Sequence, residues 1–143
     1  MREHPSCASR SMPRASPETT PTPARPSSIS GGNENETIGA GSSISGGYSN
    51  AASGLHASIS GGGYSLASGV RSSVSGGNTN YALGTDTSVV GWLTNYARGT
   101  YSSVTGGWVN SATAELSSIS AGYSLTATGY GSWLAGGSNN RCA

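Results

Sequence analysis

The residues best equipped for chemistry are few and far apart. His4, Cys7, His56 and Cys142 are the only histidines and cysteines in the chain. Their spacing matches no zinc pattern, which brings ligands together as close pairs. Neither histidine has a carboxylate or a cysteine at a spacing used by a nucleophile and its base. Asp86 is the only aspartate, so the G-G-x-G-x-D motif of calcium-binding rolls is absent. Gly61-Gly62-Gly63 lacks the Lys-Ser/Thr that completes a phosphate loop, and the chain contains no lysine. The expectation is a protein with no catalysis, no cofactor and no metal.

Two other groups recur at fixed spacing and suit binding. Ser28 and Ser30, Ser43 and Ser45, Ser58 and Ser60, and Ser73 and Ser75 form pairs that repeat every 15 residues. On strands, such pairs make a flat hydroxyl grid, about 4.8 Å by about 6.7 Å. Val90 and Ala135 interrupt it. The second group is aromatic: Tyr81, Trp92, Tyr96, Tyr101, Trp108 and Tyr123. Exposed aromatics on a regular surface form a contact site. Tyr81 and Tyr96 are 15 apart, as are Trp108 and Tyr123. Each pair is expected to stack at about 4.8 Å.

The element that positions these groups is a repeat. From Ser27 the chain runs in register with a 15-residue period, restarting at Ser42, Ala57, Ser72, Thr87, Ser102, Ser117 and Ser132. The consensus is S-S-[IV]-S-G-G-x-x-N-x-A-x-G-x-x. Positions in it are called columns one to fifteen. So short and strict a period implies a solenoid, one turn per repeat. Column three (Ile29, Ile44, Ile59, Val74, Val89, Val104, Ile119, Leu134) is β-branched or leucine. Its neighbours in columns two and four are mostly serine. That alternation predicts a strand with the branched residues inward. Columns nine, eleven and thirteen, mostly Asn, Ala and Gly, repeat the pattern with smaller residues. Columns ten, twelve and fourteen vary freely and read as outward. The glycines of columns five and six read as a turn. Asn in column nine also suits a corner, where stacked amides can bond to each other along the axis. On this reading Asp is most damaging at Val89, less at Asn95 and least at Thr94. Helix fails as an alternative, because glycine at this density costs about 1 kcal/mol per residue relative to alanine. The expected fold is an all-β parallel solenoid of about eight coils over residues 27–143, with two short strands per turn and the last repeat truncated.

Composition agrees. Gly is 23 of 143 residues, only 9% are charged, and apolar content is 34%. That is a thin core, and oligomerisation is the usual remedy. The repeats carry Arg71, Arg98 and Arg141 against Glu34, Glu36, Asp86 and Glu115. No basic stripe for nucleic acid results. No apolar run approaches the roughly 20 residues of a membrane span. Residues 1–26 hold all six prolines, and four Arg against two Glu. They are expected to be disordered, and they lack the apolar stretch of a secretory signal.

The run Ser73-Val74-Ser75-Gly76-Gly77, followed by Ala82-Leu83-Gly84, resembles the head repeats of trimeric autotransporter adhesins, the YadA-like family. It is also similar to Ser/Gly-rich repeats of bacterial tail-fibre-like proteins. The resemblance covers residues 27–143. It implies a left-handed β-roll that forms a homotrimer and binds host matrix or another surface, in a secreted or cell-surface fibre. Gly here replaces the family's second branched residue, and the period is one residue longer than its commonest. The family's stalk and anchor have no counterpart in these residues. The serine grid is also similar to the flat faces of ice-binding solenoids, the alternative function.

Overall fold

The structure, a computed structural model, describes residues 25–143. The segment expected to be disordered therefore lies outside the described residues except for Arg25 and Pro26, and so do His4 and Cys7. The chain winds into a parallel β-solenoid of eight coils, with no helix among the described residues.

Alternation places the first strand of each coil in columns two and three. Ser28–Ile29, Ser43–Ile44, Ser58–Ile59, Ser73–Val74, Ser88–Val89, Ser103–Val104, Ser118–Ile119 and Trp133–Leu134 form one eight-stranded sheet. The second sheet uses columns ten and eleven: Glu36–Thr37, Ala51–Ala52, Leu66–Ala67, Tyr81–Ala82, Tyr96–Ala97, Ser111–Ala112, Thr126–Ala127 and Arg141–Cys142. Every pairing is parallel and offset by one repeat, as in Ser58↔Ser73 and Tyr81↔Tyr96. A third, narrower side was not expected. Column seven forms its own ladder of single bridges, from Asn33↔Tyr48 to Tyr123↔Ser138.

The backbone bonds run mainly one way. Ser43 donates its N–H to Ala57 and Ser45 to Ile59 in the next coil, both at 2.9 Å. The direction reverses at columns eight and fifteen, where Thr79 donates back to Gly63 at 2.8 Å and Asp86 to Val70 at 2.9 Å. These reversals need left-handed backbone. All thirteen non-glycine residues with positive φ fall in those two columns. Column six is the third left-handed position. It holds glycine in every coil but the fifth, where Trp92 displaces it and the positive φ moves back to Gly91 (80°).

The core is a narrow file of small side chains. Column three supplies Ile44, Ile59, Val74, Val89, Val104 and Ile119; column eleven supplies Ala52 through Ala127 in steps of 15. Column one is also inward, with Ser42, Ala57, Ser72, Thr87, Ser102 and Ser117 buried. The inward assignment of columns three and eleven and the outward assignment of columns two and four hold.

Column nine follows the left-handed corner residue of column eight, and its side chains turn inward. Asn50, Asn80, Asn95 and Asn110 are fully buried inside the coil. The expected ladder is present, and it is an interior one. Asn80 Oδ1 accepts from the Asn95 backbone N–H at 3.0 Å and from Asn95 Nδ2 at 3.2 Å. Asn95 Nδ2 also donates to the Gly107 carbonyl at 2.7 Å, and Asn95 Oδ1 accepts from the Asn110 N–H at 3.1 Å. A buried amide costs little when both ends are bonded in this way. Ser65 and Leu125 interrupt the ladder. Ser65 Oγ still accepts from the Asn80 N–H at 3.2 Å, whereas Leu125 offers no acceptor to the coil after it.

This burial revises the order of damage. Asn95→Asp replaces two donated bonds with a carboxylate facing the Asn80 and Gly107 oxygens. It should lower stability by about 3–5 kcal/mol, as much as Val89→Asp. Thr94→Asp, half-buried at φ 55°, should cost less than about 1 kcal/mol, because Asp tolerates left-handed backbone better than Thr. Denaturant midpoints at neutral pH would give this ranking. The introduced carboxyl in Asn95→Asp has a folded-state pKa raised above its unfolded value. Its penalty is therefore greatest at neutral pH and shrinks as pH falls toward about 3.9. A midpoint for Asn95→Asp close to that of Thr94→Asp would contradict the interior ladder.

Candidate binding surfaces

Four strips of side chains face outward, and each is set by its columns. Columns two and four cover the first sheet. Here stand Ser28 and Ser30, Ser43 and Ser45, Ser58 and Ser60, and Ser73 and Ser75, and the row continues through Ser88, Ser103, Thr105, Ser118 and Ser120. The strands are in register along the stack, so the hydroxyls form a grid. Val90 interrupts it as expected. Trp133 is a further interruption, signalled by its place in column two; its Nε1 donates to Ser120 Oγ at 3.1 Å. No charged residue occupies column two, four or five in any coil.

The glycines beside this grid behave unlike the others. A Cβ built on Gly46, Gly61, Gly76 or Gly106 in column five meets nothing within 4 Å. None of these four has a positive φ. Ala121 already occupies the column in coil seven. The coil's own geometry therefore does not require glycine there. Column thirteen is the contrast. A Cβ on Gly69 would overlap the Gly84 carbonyl oxygen and stand 2.6 Å from its carbon. Only coil six departs, with Ala114.

Columns ten and twelve cover the second sheet. Tyr81 and Tyr96 stack here with ring centroids 4.8 Å apart and planes 4° from parallel. The Arg98 guanidinium lies 4.6 Å from the Tyr96 centroid. The expected stack is thus formed and carries a cation on its flank.

Columns six to eight form the narrow side. Trp92, Trp108 and Tyr123 lie on it. Trp108 and Tyr123 pack edge to face, centroids 5.2 Å apart at 74°, in place of the expected parallel stack. Tyr48 and Tyr64 join this side with the same geometry, 5.3 Å and 78°. Neither was singled out from sequence, although Tyr48 shares column seven with Trp108. The nearby Glu34 carboxylate, and then Tyr64, hold the Tyr48 phenol above its ordinary pKa.

Tyr101 stands alone at the fourth strip, the corner of columns fourteen and fifteen, near Leu116 and Tyr130. The same corner carries Arg71, whose Nε donates to Asp86 at 2.6 Å with Nη2 bonded to the second oxygen. This guanidinium holds the Asp86 carboxyl below its ordinary value. Arg71 is exposed and Asp86 half-buried, so solvent screens the pair and it adds little stability. The six aromatics expected as one cluster are therefore divided among three strips.

Among the described residues, no three His, Cys, Asp or Glu side chains come together, and no pocket is found. No protein-family model matches the chain, and no curated protein matches it.

The two glycine columns should respond oppositely to a methyl group. Gly69→Ala should lower stability by about 2 kcal/mol or more, through overlap with the next coil. Gly76→Ala should leave it unchanged or raise it by up to about 1 kcal/mol, by restricting the unfolded chain. Thermal melts of the two variants at low protein concentration test this. Equal losses would place column five under the same internal constraint as column thirteen.

Proposed function

We propose that this chain is a non-enzymatic structural and surface-binding module, the head region of a longer secreted or cell-surface fibre that works as a homotrimer. One observation carries the reading: in four coils column five is glycine on an uncharged serine face where the coil itself leaves open space. Removing side chains there flattens the face and lets another backbone approach closely. The thin core points the same way. Burying the serine face between copies adds the burial that a single file of Ile, Val and Ala cannot supply. The aromatic strips stay on the outside of such an assembly, available to host matrix or another surface. The resemblance to trimeric adhesin heads supports the same arrangement.

A second reading uses the same face differently. An in-register hydroxyl grid free of charge is also suited to ordering water, so the alternative is an ice-binding solenoid. The two readings differ in whether the face is covered.

Sedimentation equilibrium separates them. The chain should sediment at three times its monomer mass of 14.2 kDa. Ser73→Arg, which sets a charge in the centre of the face, should return it to monomer with its circular dichroism unchanged. A monomeric wild-type protein at all concentrations would sink the trimeric reading. If that monomer shaped ice crystals, and Ser58→Tyr abolished the effect, the ice-binding function would replace it.

A further inference from the structure

The narrow side carries large apolar side chains where the coil favours small ones. Column six is glycine in seven coils, and a Cβ on Gly62 would overlap the Gly77 carbonyl. Trp92 nevertheless takes that column in coil five, and the left-handed turn shifts to Gly91 to admit it. Tyr64 and Val109 occupy left-handed positions at φ 52° and 59°. Bulky residues adopt that conformation at a cost of about 1 kcal/mol or more. These side chains remain substantially exposed to solvent. Trp92 is 70% exposed, Tyr64 54%, Tyr123 45%, Trp108 44% and Tyr48 39%.

Their layout is linear. Tyr48 pairs with Tyr64 across coils two and three, and Trp108 with Tyr123 across coils six and seven. The two pairs are four coils apart, about 19 Å along the axis at about 4.8 Å per coil. Each ring pair is fixed edge to face, which holds its outer surfaces in place. Between the pairs lie Trp92, the Asn78 amide and the hydroxyls of Thr79 and Thr94. The side has one charged residue, Glu34, at its first coil.

We infer that this ridge binds a linear neutral polysaccharide lying along the solenoid axis. The inference rests on the surface-binding function and names its ligand class. Aromatic faces pack against the C–H faces of sugar rings, and the amide and hydroxyls between them bond to sugar hydroxyls. A polyanion is disfavoured because the ridge offers no cation to release counterions. A protein surface is disfavoured by area. From coil two to coil seven the ridge is about 24 Å long and about 7 Å wide, on the order of 200 Å². A stable protein interface needs about 800 Å² from each partner. A polymer chain needs only length.

Tryptophan fluorescence and calorimetry on the full chain test this, using cellohexaose, chitohexaose, xylohexaose and mannohexaose, with heparin as the charged counterpart. At least one hexasaccharide should bind, and its trisaccharide, too short for both pairs, should bind about tenfold or more weakly. Trp108→Ala and Trp92→Ala should each weaken the hexasaccharide about tenfold or more. Glu115→Ala, at the far corner, should leave it unchanged. Failure of all four hexasaccharides at about 5 mM, weaker than any functional affinity, would overturn the inference. So would tighter binding to heparin, or wild-type affinity in Trp108→Ala. Dissociation of the assembly by Trp108→Ala would show that a second copy covers the ridge, and would also overturn it. Sedimentation is read separately. A trimer that binds none of the sugars loses only this ligand, and a monomer that binds them loses only the assembly.

Discussion

Everything in this molecule depends on the hydrogen-bonded stacking of one coil on the next with an offset of one repeat. Each residue sits about 4.8 Å from its counterpart in the neighbouring coil. A residue type is therefore chosen by what a column of near-identical neighbours can do. Backbone groups satisfy one another along the axis, as from Ser60 to Val74 at 3.0 Å and Tyr81 to Asn95 at 2.8 Å. Where backbones approach closest, in columns six and thirteen, almost only glycine fits. In such a stack each coil is stabilised by its two neighbours, so stability is close to a sum of nearest-neighbour terms.

The asparagine column turns this constraint into specificity. Branched residues in column three pack without directional bonds, so they tolerate small shifts between coils. The amides do not. Asn80, Asn95 and Asn110 each bond to the next coil's backbone and to a glycine carbonyl of the turn. A slip leaves those buried groups unpaired, at about 1–3 kcal/mol each. A polar interior thus fixes register where an apolar one would be permissive, much as a buried Asn does in coiled coils. Leu125 accepts the opposite balance: it fills the column and gives up the acceptor.

Much of this architecture was legible in the sequence because it is local and periodic. The period gave the coil, alternation gave the inward and outward columns, and the Tyr81–Tyr96 spacing gave their stack. The full burial of Asn95 was missed because propensity describes an isolated residue, and isolated asparagine prefers turns. Its burial follows from identical residues above and below, which supply the bonds that water would otherwise make. The third side was invisible for a related reason. Column seven runs Asn33, Tyr48, Gly63, Asn78, Leu93, Trp108, Tyr123, Ser138, with no pattern of polarity to mark a strand. The aromatics were grouped by closeness in sequence. Columns seven, ten and fifteen lie on different strips, so Trp108, Tyr96 and Tyr101 face different directions despite their proximity in the chain.

The outward residues divide by whether the coil accounts for them. Serine and threonine on a strand need no special explanation. Gly46, Gly61, Gly76 and Gly106 in column five do, because they give up side-chain contacts and backbone restriction without relieving any overlap. Trp92 needs one too, for the reverse reason: it stands where the coil favours glycine, and the local backbone changes to hold it. One departure removes volume from a wide uncharged face; the other adds volume to a narrow ridge. Neither improves the packing of the isolated coil. A flattened face suits a broad, close neighbour, and a raised line of rings suits a thin one. A solenoid can present two such different surfaces at once because its outward columns vary independently of its core.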